Sequence, residues 1–481
     1  MDRNLNRSTA GGCNANRPVR VLQFGEGNFL RAFADWILQV ANEKGVTDTS
    51  VAVVSPRFSE NKSIKALSEQ EGLFHVILEG VQNGVPVSTV KLVDVVAEAF
   101  SPATEIDRYK AIIESEDLRF VISNTTEAGI RYEPDNASVL TAVTFPGKVT
   151  AMLNHRFRHF GGDTSKGLVF LCCELIENNG STLHDLVTRH ANENNLGNEF
   201  IDWVDKSCVF ADTLVDRIVP GFPADTACEV MNRIGYDDSL VVKAELYHLW
   251  VIGGKGWETV RAELPLDKAG LNVHFMPSLK DFRDKKVRIL NGSHTAMVPV
   301  ALQLGCETVK EAFDNMLVNR FVNSMVDCEV IPTIAGPVSE LKEFASGILE
   351  RFYNPYIKHY LKSISLNSLS KWEARNFPVV ADYFKLKGEL PRCEVFSFAA
   401  LMALYGPESG FEPDDNAVHM AALGKAWNNA DEYDIVSEIL GSGIFMADIE
   451  ALVPGFTNMA AEFLASIRHD GMENALQKYC L

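Results

Sequence analysis

Three side chains that can move a proton or hold an oxygen stand close together past the middle of the chain: Lys286, Asn291 and His294. A lysine whose pKa is lowered by burial can exchange a proton, and an amide and an imidazole can hold an oxygen in place. On a regular α-helix, Asn291 lies about 140° and His294 about 80° round from Lys286, within one wide arc. The same residues also fit an ordinary helix start with a solvated Lys285-Lys286 pair and interior polar groups, so the spacing alone leaves both interpretations open.

A strand, a glycine turn and a helix open the chain and could hold a dinucleotide. Residues 18–24 (PVRVLQF) predict a buried strand, and residues 32–44 have helical apolar spacing. Glycines between a strand and a helix let the backbone approach a pyrophosphate at the positive end of that helix. The fit to GxGxxG is partial, because Leu30 occupies the third glycine position. The expected cofactor contacts here are Phe24, Gly25, Gly27, Asn28 and Phe29.

Polar residues follow the later predicted strands of the same unit. The strand at 50–55 is followed by Arg57, where NAD-binding units usually carry an acid, so the residues leave NAD or NADP open, as well as a plain surface arginine. The strand at 119–123 leads to Asn124, Thr125 and Thr126, which are expected cofactor contacts or a simple turn with Glu127 as a helix cap. The strand at 167–173 ends at Glu174, and ligands of open α/β sheets bind beyond such strand ends.

The length and the net charge of the chain limit the possible folds and binding partners. A chain of 481 residues predicts two domains, placed at 1–274 and 275–481: a Rossmann-like α/β domain with an inserted hairpin at 74–96, then a mostly helical one. A net charge of −19 argues against nucleic acid and anionic membranes as partners. The polar N-terminus, the lack of an 18-residue apolar run and nine scattered cysteines predict a cytoplasmic protein. His155 and His159 have metal-ligand spacing, but a basic surface helix is the better interpretation, and no metal is expected.

Six segments together resemble the mannitol dehydrogenase family of long-chain polyol-specific dehydrogenases. They are VLQFGEGNFLRAF (21–33), RFVISNTTEAGI (119–130), CELIENNG (173–180), TLVDRIVPGFP (213–223), KVRILNGSHTAMVPVA (286–301) and NPYIKHYLKSI (354–364). The resemblance implies an elaborated Rossmann domain, a helical C-terminal domain and an active site between them. It also implies zinc-independent hydride transfer with NAD, with Lys286 as the general acid/base and Asn291 and His294 binding the reacting oxygen.

The NTTEAGI and CELI segments resemble the branch that acts on hexuronates, which implies conversion of D-altronate to D-tagaturonate in galacturonate breakdown. Two departures from the polyol enzymes, Glu174-Leu175 at a strand end and Ser363 in place of an arginine, argue against mannitol as the substrate. A uronate carboxylate needs a cation. The expected substrate contacts are Glu174, Asp216, Lys358, His359, Lys371 and Arg375.

Other functions stay open at this stage. A fructuronate (mannonate) or mannitol-type polyol oxidoreductase would differ in substrate stereochemistry. A dinucleotide-binding sensor would have no need of Lys286, Asn291 and His294 together. The partner is expected to be a small hexuronate, and the chain a monomer or a small homo-oligomer.

Overall fold

The computed structural model describes residues 3–11, 16–57, 61–82, 84–125, 129–139, 141–354, 356 and 359–481. Thr126, Glu127 and Lys358, which were singled out above, lie outside these ranges. The chain divides into two compact units: Met1–Gly80 with Pro86–Leu279, and Val81–Val85 with Lys280–Leu481. This division falls after Leu279, and the domain boundary between residues 274 and 275 stays a prediction.

The first unit contains eleven strands among its described residues. In chain order they are β1 (Val19–Phe24), β2 (Ser50–Val54), β3 (Phe74–Gln82), β4 (Val85–Val93), β5 (Val96–Phe100), β6 (Phe120–Ser123), β7 (Val169–Cys172), β8 (Val209–Asp216), β9 (Val242–Glu245), β10 (Leu249–Gly253) and β11 (Val273–Met276). The tip of the β3–β4 pair, residues 81–85, is the part grouped with the second unit.

Eight of these strands form one sheet in the order β11-β10-β8-β7-β6-β1-β2-β5. Neighbours in it are parallel, except that β10 runs antiparallel to β8. The sheet is buried on both faces, since Val21 packs into one hydrophobic cluster and Leu22 into another. This burial explains why the strands read as continuous apolar runs rather than as alternating ones. The α/β prediction for this unit is confirmed.

A second sheet of the first unit has the order β4-β3-β9, with β3 parallel to β9. It contains the strand pair that was predicted at 74–96. The pair packs through β3, which is buried from Phe74 to Gly80, whereas β4 is mostly exposed or half-buried.

The helices of the first unit cover the main sheet and the loops beside it. They are α1 (Arg7–Ala10), α2 (Asn28–Leu30), α3 (Trp36–Glu43), α4 (Lys62–Glu69), α5 (Ile106–Ile113), α6 (Phe145–His159), α7 (Asn179–Glu193), α8 (Asn198–Ser207), α9 (Ala227–Ile234) and α10 (Trp257–Glu263). A π-helical turn, Arg31–Asp35, joins α2 to α3. The helix predicted at 32–44 is therefore present, but it is not a regular α-helix throughout.

The second unit is helical over its described residues, as predicted. Its helices are α11 (Lys280–Lys285), α12 (Gly292–Gln303), α13 (Val309–Asp314), α14 (Met316–Met325), α15 (Val338–Phe352), α16 (Leu361–Ile364), α17 (Ser368–Arg375), α18 (Phe377–Lys387), α19 (Arg392–Tyr405), α20 (Ala417–Ala426), α21 (Glu432–Gly441), α22 (Ile449–Leu452), α23 (Phe456–Asp470) and α24 (Met472–Cys480). Further π turns lie at Lys286–Asn291 and Val326–Val330. The core is one apolar cluster centred on α12 and α19, both of which are buried along nearly their whole length.

Two asparagines and a glycine-containing stretch shape the elements near the ends of the units. Asn367 takes a left-handed conformation and separates the short α16 from α17. Asn315 separates α13 from α14 and caps α14 with its side chain. The stretch at 253–279 contains α10 and the edge strand β11 of the main sheet. Among the described residues, no helix combines the length and the apolar character needed to span a bilayer.

Candidate active site

The carboxyl ends of four neighbouring strands in the main sheet lie in register. Phe24 pairs with Val54 on one side and with Ser123 on the other, and Ser123 pairs with Cys172. The loops that follow therefore begin at one edge of the sheet. This edge is where open α/β sheets bind their ligands.

The glycine turn after β1 is built for close approach by another group. Gly25 has φ +132°, and a Cβ there would lie 2.9 Å from the Leu30 side chain and 3.4 Å from the Asn124 carbonyl oxygen. The Gly25 amide donates to the Val54 carbonyl at 3.1 Å. Gly27 is exposed and begins α2, and a Cβ added to it would meet no atom within 4 Å among the described residues. Gly25 thus fixes the turn, and Gly27 leaves the space before the helix open.

The residues around this turn hold it through charge-assisted bonds. Arg31 donates to the Asn28 side-chain oxygen at 2.7 Å and to the Glu26 carbonyl at 3.2 Å. Asn61 donates to the Glu26 carboxylate at 2.7 Å, and burial raises the pKa of that carboxyl group. Of the expected contacts, Asn28 is exposed and Phe29 stacks on Phe33. Glu26 and Arg31 were not singled out from the sequence, although both lie inside the glycine motif.

The two glycines give a matched pair of substitutions. Gly25→Ala is expected to lower the free energy of unfolding by about 1–3 kcal/mol, because alanine rarely adopts such a φ. Gly27→Ala is expected to change it by less than about 0.5 kcal/mol, as exposed positions with ordinary backbone angles do. Urea unfolding at 25 °C measures both values. Equal losses for the two variants would mean that Gly25 is not the strained position.

Glu174 is buried, and its carboxylate is hydrogen-bonded to residues at the end of the neighbouring strand. It is 2% exposed. One carboxylate oxygen accepts from the Thr125 amide and hydroxyl, both at 2.9 Å, and the other accepts from the Ser123 hydroxyl at 3.0 Å. Asn124 donates to the Cys173 carbonyl at 2.8 Å. Glu174 therefore ties the loop after β6 to the loop after β7, and its role as a substrate contact stays a prediction.

A cavity of about 490 Å³ lies beyond β2 and β6. The exposed Arg57 lines it together with Thr125, Arg131 and Lys148. The Lys148 ammonium donates to the carbonyls of Pro56 at 2.8 Å and Val143 at 2.6 Å, and burial lowers its pKa. The cavity is therefore lined by three basic side chains and by Glu133, which pairs with Arg131 at 2.5 Å, and neither Arg131 nor Lys148 was among the residues expected from the sequence.

In the second unit, Lys286 and Asn291 begin and end a π-helical turn. The Gly292 amide, just after it, bonds to the Val287 carbonyl five residues earlier. A π turn brings residues five apart closer together round the helix axis than an α-helix does, in which about 140° separates them. Lys286 and Asn291 therefore share one side of the helix more closely than the sequence predicted. Both side chains are partly exposed.

His294 lies in the first turn of α12 against two other rings. Its ring centre is 4.3 Å from that of Phe352 and 5.4 Å from that of His359. Its Nε2 atom is buried and has no hydrogen-bond partner among the described residues. Burial, and then the electrostatic effect of the neighbouring His359, Arg351 and Arg375, hold the pKa of His294 well below its usual range. The imidazole is therefore neutral at physiological pH and can offer one N–H to an oxygen.

The neutral state of His294 makes the stability of the fold depend on pH. In the folded protein, the His294 imidazole is expected to stay neutral as the pH falls from 8 through 6.5, because its pKa is lowered, whereas in urea it protonates near its ordinary value of 6.5. Because the unfolded chain binds this proton and the folded chain does not, the group lowers stability below about pH 6.5 and has no effect above it. Nitrogen chemical shifts of ¹⁵N-histidine-labelled protein measure the charge. A His294 resonance that titrates near pH 6.5 in the folded state would contradict the assignment.

The other expected substrate contacts fall into two groups. Asp216 ends β8 in the first unit, paired with Leu249 of β10. His359, Lys371 and Arg375 belong to the second unit, where His359 and Arg375 act on the charge of His294. The Arg375 guanidinium donates to the Thr295 hydroxyl at 3.2 Å. Arg351 was missed, because nothing in the sequence around it marks the end of α15 as close to α12.

The described residues contain no group of three or more His, Cys, Asp and Glu side chains that could hold a metal ion. His155 lies 2.7 Å from Glu114, and His159 lies 3.8 Å from the same carboxylate. A separate cavity of about 890 Å³ between α14 and α15 does not include Lys286, Asn291 or His294 in its lining.

Comparison with known proteins identifies the family. Residues 19–266 match the family described as "Mannitol dehydrogenase Rossmann domain", and residues 278–462 match "Mannitol dehydrogenase C-terminal domain". The chain belongs to the mannitol dehydrogenase family. It is an oxidoreductase that acts on a polyol or a sugar acid. This family's first domain is the Rossmann domain built above from the sheet and its glycine turn.

Relatives within the family are similar over nearly their whole length. The chain is 42% identical over 468 residues to the altronate oxidoreductase of Bacillus subtilis, covering 96% of each chain. It is 39% identical over 474 residues to the altronate oxidoreductase of Bacteroides thetaiotaomicron, covering 97% of this chain and 98% of the other. The altronate oxidoreductase of Escherichia coli O139:H28 is also 39% identical, over 476 residues, covering 97% of this chain and 98% of the other.

Two solved structures share the fold. A substrate-free D-sorbitol dehydrogenase superposes with a TM-score of 0.82 at 20% identity, covering 98% of this chain and all of the other. A mannitol 2-dehydrogenase of Pseudomonas fluorescens, solved as a ternary complex with NAD and D-mannitol, gives a TM-score of 0.69 at 20% identity, covering 99% of each chain. The Rossmann-like and helical units of this family are therefore present together in the chain.

Proposed function

We propose that the chain interconverts D-altronate and D-tagaturonate with NAD as its cofactor, as a step of hexuronate breakdown. The observation that carries the proposal is the 42% identity to an altronate oxidoreductase over 96% of both chains, which spans both units. The positive groups around His294 support a substrate with a carboxylate, because the chain as a whole carries a net charge of −19.

NAD is supported by residues of the first unit. Gly25 takes a backbone conformation that leaves no room for a side chain, and Gly27 opens the helix that follows, so the turn fits a pyrophosphate. Phe24, Asn124 and Thr125 lie at the same strand ends. The NAD complex of the mannitol 2-dehydrogenase, which has the same fold, supports the same cofactor. When bound, NADH supplies a hydride to the ketone carbon of the substrate.

Lys286 is the group that moves the proton. In the reduction its ammonium nitrogen donates a proton to the ketone oxygen as negative charge develops there, and in the oxidation it takes a proton from the hydroxyl. Asn291, on the same side of the π turn, donates an amide N–H to that oxygen. His294 donates as a neutral imidazole, and since its pKa is held low it does not compete as the acid.

A spectrophotometric assay tests the proposal. D-tagaturonate, D-fructuronate and D-fructose are each offered with NADH and with NADPH, and the fall in cofactor absorbance is followed. The fastest turnover is expected with D-tagaturonate and NADH. D-fructose as the best substrate would overturn the assignment to sugar acids, D-fructuronate as the best substrate would move it to the other hexuronate, and no oxidation with any ketose would overturn the enzyme assignment.

A further inference from the structure

Basic side chains, two of them arginines, gather around His294 in a chain that is otherwise strongly acidic. His359, Arg351 and Arg375 each act on the charge of the His294 imidazole, and His359 touches its ring. The three come from different stretches of the second unit, the ends of α15 and α17 and the segment before α16. A concentration of positive charge beside a reactive oxygen site suits a substrate with its own negative charge.

The basic side chains of this cluster differ in charge and in what they already bind. His359 has its pKa lowered by burial and by Arg351, so its imidazole is neutral. Lys371, one helical turn before Arg375, donates to the Ile364 carbonyl at 2.9 Å and interacts with the charge of Asp415. Arg375 has one hydrogen bond, from Nη1 to the Thr295 hydroxyl, and no carboxylate partner among the described residues. A half-buried guanidinium without an acid has most of its donors available.

Buried residues before and after Arg375 in the sequence hold its backbone in place. Trp372 is fully buried one turn earlier in α17. The next residue, Asn376, is also fully buried and donates to the Gly292 carbonyl at 3.1 Å and to the Glu394 carboxylate at 2.9 Å. Gly292 and Thr295 belong to the first turn of α12, which also carries His294. The backbone of Arg375 is therefore held against the turn that carries the oxygen-binding imidazole.

We infer that Arg375 binds the carboxylate of the substrate and so sets the preference for a sugar acid over the neutral ketose of the same carbon chain. The inference rests on the proposed function, since it assigns a residue to the carboxylate of that substrate. A planar guanidinium can donate two parallel N–H bonds to a carboxylate. A neutral hydroxyl group in the same place accepts a single hydrogen bond and carries no charge, so Arg375 binds it more weakly. Arg375 is in this sense a specificity-determining residue and takes no part in the proton transfer.

The test compares Arg375→Leu with the unchanged protein on D-tagaturonate and on its neutral counterpart D-tagatose, at saturating NADH. The variant is expected to lose about 10- to 100-fold in kcat/KM for D-tagaturonate, mainly through KM, as removal of a charge-assisted hydrogen bond does. Its kcat/KM for D-tagatose is expected to change less than about 2-fold. Arg375→Lys keeps the positive charge but not the planar guanidinium group. Its kcat/KM for D-tagaturonate is expected to lie between the values of the unchanged protein and of Arg375→Leu, and it is the test variant if the leucine variant does not fold.

Two further variants complete the design. Lys387→Leu removes the same unit of charge from an exposed position at the end of α18, and it is expected to behave as the unchanged protein. Arg351→Leu tests the neighbouring guanidinium. Unchanged discrimination in both Arg375 variants, or a loss of discrimination in Arg351→Leu alone, would overturn the inference while the proposed function stands. An unchanged protein that reduces D-tagatose but no uronate would overturn the proposed function itself, and the inference with it.

Discussion

Lys286→Ala is expected to lower kcat for ketose reduction by about 10²- to 10⁴-fold near neutral pH, with the affinity for NADH unchanged. The reason lies in the charges at the site. The reduction leaves negative charge on an oxygen, and a neutral His294 cannot supply the proton. Lys286 is the lysine of the Lys286–Asn291 turn, and the other basic side chain of that turn, Arg288, donates to the Asp382 carboxylate at 2.7 Å. Steady-state rates measure the loss in kcat, and quenching of protein fluorescence by NADH measures the affinity.

Two variants separate proton transfer from charge. Lys285→Ala removes the neighbouring ammonium group, which lies 5.3 Å from the Phe282 ring, and kcat is expected to stay within about 3-fold of its original value. Lys286→Arg keeps a positive charge but holds its proton at neutral pH, so it is expected to be nearly as slow as Lys286→Ala. Full activity in Lys286→Arg would mean that the position supplies only charge. A fast Lys286→Ala would refute the acid/base assignment.

The largest expected effect on stability is at Trp372. It is fully buried and packs against the rings of Phe398 at 4.8 Å and Phe456 at 5.9 Å between ring centres. Its indole N–H donates to the Ser397 hydroxyl at 2.9 Å. Trp372→Ala is expected to lower the free energy of unfolding by about 3–5 kcal/mol, the usual cost of emptying a large aromatic site in a core.

Trp372→Phe is the matched control for this effect. The phenyl ring keeps most of the packing, and the Ser397 hydroxyl still donates to the Glu394 carbonyl at 2.6 Å, so a loss of about 1–2 kcal/mol is expected. Urea unfolding followed by circular dichroism measures both variants. Similar losses for the two would show that the indole N–H bond outweighs the packing. Losses below about 1 kcal/mol for both would show that α17 is not anchored by this side chain.

The first unit was predictable where its signals are local. The apolar runs of β1, β2, β6 and β7 are continuous because both faces of the sheet are covered, and the glycines between β1 and α2 follow directly in the chain. The edge strand β11 gave no such signal. It contains only the four residues Val273–Met276, is mostly half-buried and is flanked by polar and glycine-containing segments. Short edge elements depend on pairing with neighbours that are distant in sequence, which composition does not record.

The site was predictable in part for the same reason. Lys286, Asn291 and His294 lie within nine residues, so a single helix relates them. Arg351 and Arg375 approach His294 from other helices, and only the packing of α15 and α17 on the Lys286–Asn291 turn and α12 brings them there. Glu174 illustrates the opposite case. Its place after a strand predicts a ligand contact, which stays a prediction, and sequence does not show that Ser123 and Thr125 already donate to both of its carboxylate oxygens.

The π turn at Lys286–Asn291 makes this segment tolerant of a change in length that the helix after it would not tolerate. A π turn holds one residue more than an α-helical path of the same rise. Deleting one residue from 287 to 290 would therefore restore the regular α-helix and place the lysine, the amide and the imidazole at positions i, i+4 and i+7, within an arc of about 60°. Deleting Ser293 from α12 would instead rotate His294 by about 100° relative to Lys286 and Asn291. Loss of one residue from the turn is thus expected to keep the three side chains on one side of the helix, whereas loss of one residue from α12 is expected to separate the imidazole from the other two.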